Sequence, residues 1–343
     1  MASVKKMISR MLDSATTPEV MSLEAQPADA PATVDMALRL ACASGNARRI
    51  EECLKRGVSL DMEDRDGDRP LQLAAIGGHL EAVQLLLGAK AAPDDTKAGR
   101  QTALQIAVER DNGRMVNALL EARASPNGSV QKTSASSSGT LVELAIAKPV
   151  CLDLLLKAKA SPDDDGASQP PIVIAGIMGY ARTVELLLAA GAKRENLGAK
   201  GETRAVAAIA TWLLKLETKP AYEDTHTVQS RLRCLRLLVK ADEEKLRAKD
   251  EELRVNYLML LLQACEDGAP QMAEVLLQAG TDPNGMHYYK QSTEKSKSLP
   301  PPPLIRAVQN KNLGCVKVLL EHGADPAIRA NDKTPLEEVC TQS

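Results

Sequence analysis

One pattern, returning along the whole chain, limits what this sequence can fold into. An alanine follows a "PLxL"-like run at Ala41, Ala74, Ala107, Ala145, Ala175, Ala208, Ala264 and Ala307, and Val339 takes the same place at the end. The successive spacings are 33, 33, 38, 30, 33, 56, 43 and 32 residues. Thirteen residues after most of these alanines a Leu-rich run ends, at Leu54, Leu87, Leu120, Leu188, Leu277 and Leu320. Turn residues follow, as in "GVS", "KAA", "RAS", "GAK", "GTD" and "GAD". A period this short leaves no room for a private core in each unit, so the pattern predicts a stacked array in which neighbours cover one another.

Within a unit the pattern reads as two short antiparallel helices. In "RPLQLAAIGGHLEAVQLLLGAKAAPD" the first helix starts at Pro70, a residue suited to a first helical turn. "GGH" breaks it. The second helix places Leu80, Val83, Leu86 and Leu87 on one face, and "AAPD" turns the chain into the next unit. Neither helix is long enough to be stable alone. Composition agrees: hydrophobic residues are 44%, aromatics only 2% and Phe is absent, so the core is built from Leu, Ala, Val and Ile, as packed helices allow.

The same numbers exclude function classes. A net charge of −2 and few aromatics argue against nucleic acid as a partner. No apolar run reaches the length of a membrane span. The seven Cys include no CxxC pair and mostly sit in Leu-rich runs, so they read as buried thiols in a reducing compartment. No GxSxG, P-loop, HExxH or GxGxxG occurs, and the four His are scattered. The expectation is a non-enzyme with no metal, no cofactor and no small-molecule substrate.

These residues resemble the ankyrin repeat family. Its pattern runs D-x-x-G-x-T-P-L-H-x-A-A-x-x-G-H, a Leu-rich helix, then G-A-D-x-N. "DRDGDRPLQLAAIGGHLEAVQLLL" (64 to 87) carries most of it, as do "TALQIAVERDNGRMVNALLEARASPN", "LLQACEDGAPQMAEVLLQAGTDPN" and "LIRAVQNKNLGCVKVLLEHGADP". The resemblance implies an all-α solenoid of stacked antiparallel helix pairs with hairpin loops, eight to nine units over residues 34–343, and no sheet beyond hairpin tips. The sequence departs from the family at the His of T-P-L-H, where Arg39, Gln72, Gln105 and Glu143 stand among others, and Thr survives only at Thr102, Thr140, Thr203 and Thr334. In the family those two residues tie neighbouring turns, so their loss predicts an array of ordinary stability. In the fourth unit Pro149 is expected to distort the helix pair.

Four segments break the period. Residues 1–33 are a flexible N-terminal segment. In its first twelve residues Val4, Ile8, Met11 and Leu12 share a helical face beside Lys5, Lys6 and Arg10, which suits a mitochondrial-type targeting helix, a surface anchor or a short helix covering the first repeat. Inserts lie at 128–139 (Ser-rich), 209–231 (holding Trp212) and 285–303 (Tyr288, Tyr289 and Pro300 to Pro303). "DEEKLRAKDEEL" reads as a solvated helix face. His79 and His322 read as structural.

By resemblance, partner-facing positions flank the hairpin Gly and follow the "AA" of the first helix. They are Arg65, Asp66, Asp68 and Ile76; Gln101, Glu109 and Arg110; Gln169, Ile177 and Met178; and Glu266 and Asp267. The expected function is a scaffold or adaptor binding a protein partner on the concave face and hairpin tips. A non-catalytic assembly subunit held through its inserts is the alternative. The expected location is the cytoplasm. Replacing residues 129–138 by a short Gly-Ser turn should leave the melting temperature unchanged within a degree or so, since loop length alone costs little; thermal unfolding followed by circular dichroism tests this.

Overall fold

The computed structural model describes residues 31–64, 66–96, 100–128, 139–163, 169–193, 206–207, 209–210, 213, 225–247, 251–285, 301–329 and 333–342. The expectations placed on residues 1–12, on the Ser-rich loop at 129–138 and on Trp212, Tyr288 and Tyr289 lie outside them. The chain divides into two compact units, Met1–Gly166 and Ala167–Ser343. The described residues are helical, with no strand, and build stacked helix pairs in each unit.

The first unit holds four pairs: α1 (Pro31–Ser44) with α2 (Ala47–Lys55), α3 (Pro70–Gly77) with α4 (Leu80–Gly88), α5 (Ala103–Glu109) with α6 (Gly113–Glu121), and α7 (Leu141–Leu144) with α8 (Pro149–Lys157). First helices stack α1–α3–α5–α7, and second helices α2–α4–α6–α8. In the second unit α9 (Pro171–Met178) pairs with α10 (Ala181–Ala189). Helical residues at 206, 207, 209, 210 and 213 precede α11 (Thr225–Arg247). Next come α12 (Glu251–Asp267) with α13 (Pro270–Gln278), α14 (Pro303–Gln309) with α15 (Leu313–Glu321), and α16 (Pro335–Gln342). Here the second helices stack α10–α11–α13–α15, and α12–α14–α16 stack in turn.

The repeating alanine marks where first helices pack. Ala41, Ala74, Ala107 and Ala145 are 0 to 2% exposed in the first unit, and Ala175, Ala264 and Ala307 are 0% exposed in the second. A side chain no larger than a methyl lets neighbouring helices approach closely. The second helices supply the bulk. Val83 with Leu86, Val116 with Leu119 and Leu152 with Leu155 are sealed in the first unit, as are Val184 with Leu187 and Met272 with Leu276 in the second. Each sealed aliphatic side chain contributes about 1.5–3 kcal/mol.

Polar bonds set the register between layers. Asp94 accepts the Ser125 N–H at 2.9 Å, and Asn127 accepts the Ser161 N–H at 2.8 Å. In the second unit Asn284 accepts the Asp325 N–H at 2.8 Å. Asn127 also donates Nδ2 to the Lys159 carbonyl, so its side chain is committed to the stack. His79 Nε2 donates to the Ala43 carbonyl at 3.2 Å, and its ring sits where a Cβ on Gly45 or Gly77 would collide with it. The structural reading of His79 therefore holds, as a tie between layers.

Four expectations need correction. At Gln72 the change from His does not remove the tie between turns. Buried Gln72 accepts the Arg69 N–H at 2.8 Å through Oε1, and its Nε2 donates to the Gln101 carbonyl at 2.6 Å and to Thr96 Oγ1, in the next hairpin. Where Thr survives it caps its own helix instead: Thr102 accepts from Gln105 N and Thr140 from Glu143 N. Pro149 does not distort its helix; it occupies the first turn of a regular nine-residue α8, and the shortening falls on α7, cut to four residues. Helix α11 begins at Thr225, so the last part of the segment expected as an insert at 209–231 belongs to a helix of the stack. Finally, "DEEKLRAKDEEL" is not a wholly solvated face, because Asp242 is buried and accepts the Tyr257 hydroxyl at 3.0 Å between α11 and α12.

Among the described residues one turn with φ positive repeats after every second helix but α11. Gly57, Gly191, Gly280 and Gly323 fill it at φ 73 to 95°, but Lys90, Arg123 and Lys159 adopt φ 67 or 68° in the same place. A side chain in that region costs about 1–2 kcal/mol, partly offset by the extra freedom glycine has when unfolded. Lys90→Gly, Arg123→Gly and Lys159→Gly should each stabilise by about 0.5–1 kcal/mol, read as a higher urea midpoint at unchanged slope.

Candidate functional site

In each unit the ends of the first helices and the hairpins before them carry the positions singled out in the sequence. Their backbone is firmly held. Helix α3 closes on Gly78 at φ 79°, whose N–H bonds back to Ala75, and α9 closes on Gly179, also at φ 79°, bonded back to Gly176.

In the first unit Arg65 lies outside the described residues. Asp66 is exposed at the hairpin tip, with its N–H on Asp64 Oδ1 at 2.9 Å. Asp68 is elsewhere: it is 5% exposed, its N–H also bonds Asp64 Oδ1, and its carboxylate is gripped by Arg100 through Nε at 2.9 Å and through Nη2. The rim role expected of Asp68 therefore does not fit, because the hairpin of the next repeat already uses its charge. That bond raises the Arg100 pKa, and burial pushes the Asp64 carboxyl up against the two N–H bonds it accepts. Ile76 is half-buried at the end of α3. Glu109, half-buried at the end of α5, accepts from Gln101 and from Gln105 Nε2 at 3.3 Å, while Arg110 is exposed.

In the second unit Gln169 is exposed before α9. Ile177 is half-buried, and its carbonyl accepts the Nε of buried Arg231 at 2.6 Å. Met178 beside it is 55% exposed, and Tyr180 is 41% exposed. On α12, Glu266 pairs with Arg306 of α14 at 2.7 Å, and Asp267 accepts from Gln263 at 2.7 Å. Two residues that sequence reasoning passed over belong here, Tyr180 and Met259. Met259 is 47% exposed and shares an i, i+4, i+7 stripe with exposed Gln263 and Glu266. Its orientation was hidden in the sequence because α12 is apolar on most sides.

Among the described residues no group of three or more His, Cys, Asp or Glu is placed to hold a metal ion. Of the seven thiols six are buried and only Cys340 is exposed. Burial pushes Cys42 up to about 12, as it does Cys151 with a further contribution from its bond to Asp111, and pushes Cys234 up to about 11. Thiols so hard to ionise are packing groups, not nucleophiles. Among the described residues no helix is long and apolar enough to cross a membrane.

The helix pairs, their alanine contacts and their turn geometry agree with two family matches. A model described as Ankyrin repeats (3 copies) matches residues 38–129, and one described as Ankyrin repeat matches residues 302–331. The chain is an ankyrin-repeat protein. Among curated relatives of this ankyrin-repeat chain, glycerophosphocholine phosphodiesterase gde1 of Schizosaccharomyces pombe is 28% identical over 206 residues, covering 57% of the chain and 17% of that protein. Human ankyrin repeat and SOCS box protein 3 is 33% identical over 103 residues, covering 29% of the chain and 19% of that protein. Both matches thus span less than a fifth of the relative's length. The solved ankyrin repeat domain of human ASB11 aligns over 89% of the chain and 97% of its own, at 16% identity and a TM-score of 0.40. Ankyrin repeats are in general protein–protein interaction modules, and the fold is typically non-catalytic.

The bond between Gln72 and the next hairpin yields a direct test. Gln72→Ala deletes three hydrogen bonds from a site 1% exposed and removes the 2.6 Å donor from the Gln101 carbonyl, which then keeps the Thr96 hydroxyl at 3.5 Å. The expected loss is about 2–4 kcal/mol. Chemical denaturation measures it, and a loss below about 0.5 kcal/mol would show that the tie carries no weight.

Proposed function

We propose that this ankyrin-repeat protein is a non-catalytic scaffold or adaptor that holds a protein partner against the concave ends of its first helices and the adjoining hairpin tips. The reading rests chiefly on Met178. A side chain this apolar is 55% exposed beside Ile177, on a backbone locked by Gly179 and by the Arg231 bond. An apolar surface that cannot fold away on itself is the kind of surface partners cover. In the second unit Ile177, Met178 and Tyr180 form the apolar contact, with Glu266, Asp267 and Gln169 as polar neighbours on the same side of their repeats. In the first unit Ile76 is the apolar contact, and Asp66, Glu109, Arg110 and Gln101 supply polar ones. Charges of this exposed kind tune association rate and choice of partner more than affinity. Six buried free thiols suit a reducing compartment, so the reading places the protein in the cytoplasm.

Ile177→Ser combined with Met178→Ser should leave the melting temperature within about 2 °C, because neither residue is sealed in the core. Taking both apolar side chains out of the interface should weaken binding by more than about 1.4 kcal/mol, or tenfold in affinity. The test is quantitative co-purification of the tagged full chain from its native cells. Proteins retained by the wild type and by Val150→Ser, an exposed change elsewhere, should fall at least tenfold with the double variant. Equal retention by all three forms rejects the concave face of the second unit as the contact.

A further inference from the structure

The second helices form the outer side of each stack, and several of them neutralise their own exposed cations. Arg48 pairs with Glu52 on α2 at 3.6 Å, Lys157 with Asp153 on α8 at 2.6 Å, and Lys317 with Glu321 on α15 at 3.8 Å. In each case the acid lies one helical turn from the base. Helix α11 departs from this. From Gln229 to Lys240 its exposed residues are Gln229, Arg233, Arg236 and Lys240, a single stripe at i, i+4, i+7 and i+11. No acid stands between Gln229 and Lys240. Of the acids that follow, Asp242 is buried on the Tyr257 hydroxyl and Glu243 is half-buried at the end of the stripe. The opposite face of α11 is sealed by Leu232, Leu235 and Leu238, so the stripe stands on a fixed helix.

The flanking helices do not cancel this charge. On one side, Glu185 of α10 receives Arg182 at 3.0 Å and Arg233 at 3.2 Å, so two guanidiniums share one carboxylate. The bond from Arg182 first, and that from Arg233, hold the Glu185 carboxyl below its ordinary pKa. On the other side, half-buried Glu274 of α13 accepts Gln278 Nε2 at 3.1 Å. Over α10, α13 and the stripe, four exposed cations stand against these two carboxylates. Among the described residues Arg236 and Lys240 form no ion pair and no side-chain hydrogen bond.

We infer that the α11 stripe is a docking surface for an acidic helix of a protein partner, on the outer side of the second unit and apart from the concave contact. Its cations form a row. Arg233, Arg236 and Lys240 follow one another at about 4.5 Å and then about 6 Å along the helix axis. A lone phosphate or carboxylate is held by donors that converge on it; a row suits anions repeated once per turn. A helix with carboxylates at i, i+4 and i+7, laid antiparallel so that the two helix dipoles oppose, meets Lys240, Arg236 and Arg233 in that order. Gln229, bonded to Gln271 of α13 at 3.4 Å, closes the row with neutral amides. Other polyanions fit less well. No Phe, Tyr or Trp occurs on α11 or α13 for a base to stack on, and Glu274 and Glu321 lie on the helices that a longer polyanion would cross next. No apolar side chain within the row is exposed to enter a bilayer. Exposed ion pairs of this kind are individually weak, so the row orients and steers the partner more than it grips it.

The test titrates the full chain into a labelled synthetic Ala- and Gln-based helix carrying Glu at i, i+4 and i+7, followed by fluorescence anisotropy. Saturable binding is expected, with half-saturation below about 1 mM at low salt and severalfold weaker binding at about 0.15 M salt. Arg236→Gln with Lys240→Gln should weaken it at least tenfold. Arg48→Gln with Arg49→Gln, which takes the same charge from α2, should change it less than twofold. Ile177→Ser with Met178→Ser should leave it unchanged, which separates this surface from the proposed concave contact. A peptide of the same composition with its Glu residues consecutive should bind at least threefold more weakly. Failure to saturate overturns the inference, as does an equal loss with the α2 variant, which would mark net charge alone. Tighter binding of a single-stranded oligonucleotide of matched charge, or of vesicles containing phosphatidylserine, also overturns it. Should the α11 variant lose helix by circular dichroism, the Nε–H signal of Arg236 in the wild-type chain decides: it shifts on addition of the peptide if the row is the contact, and an unmoved signal rejects it.

Discussion

Everything in this protein depends on helices too short to stand alone. Apart from α1, α11 and α12, which have 14, 23 and 17 residues, the paired helices have four to nine, below the length at which an isolated helix holds in water. Stacking supplies the missing stability. The alanine series fixes how near the first helices come, and the Leu and Val of the second helices fill the space behind them. With the core made only of nearest-neighbour contacts, stability is distributed along the array and its ends become special places.

Polar side chains give the stack its specificity. Apolar layers alone would tolerate small slips, whereas a buried donor or acceptor accepts only one partner position. Gln72 reaching the Gln101 carbonyl, Asp94 and Asn127 receiving backbone N–H groups, and Asn312 donating Nδ2 to the Cys265 carbonyl at 2.7 Å are bonds of this kind. They also withdraw residues from the surface. Asp68 is the clearest instance: a hairpin carboxylate that looks available in the sequence is held by Arg100. The residues left open at the surface are those the stack has not used, such as Met178 and Met259.

Much was legible because the pattern is local and repeated. The 33-residue period, the helix pair and the positions of the buried aliphatics follow from spacing, and nine near-copies average out the ambiguity of any one. What escaped depended on particular neighbours. The substitution of Gln72 for the family's His looked like a missing bond, since the sequence does not show that a longer amide reaches the same hairpin. Pro149 looked like a breaker, since nothing local tells whether a proline stands in the first turn or the middle of a helix. Asp242 looked solvated because its partner, Tyr257, lies in the next helix.

The sequence by itself determined the architecture: a periodic apolar code can be satisfied only by stacking like on like, whatever the details of any loop. Only the tertiary structure decided which polar residues are exposed and which are tied, because that depends on a partner some 30 to 50 positions away, as with Gln72 and Gln101 or Arg231 and Ile177. It alone showed that Leu336, identical in pattern to six sealed counterparts and Val142, stands uncovered. A repeat code specifies what each residue offers to its neighbours, and only the assembled stack reveals which side chains it covers.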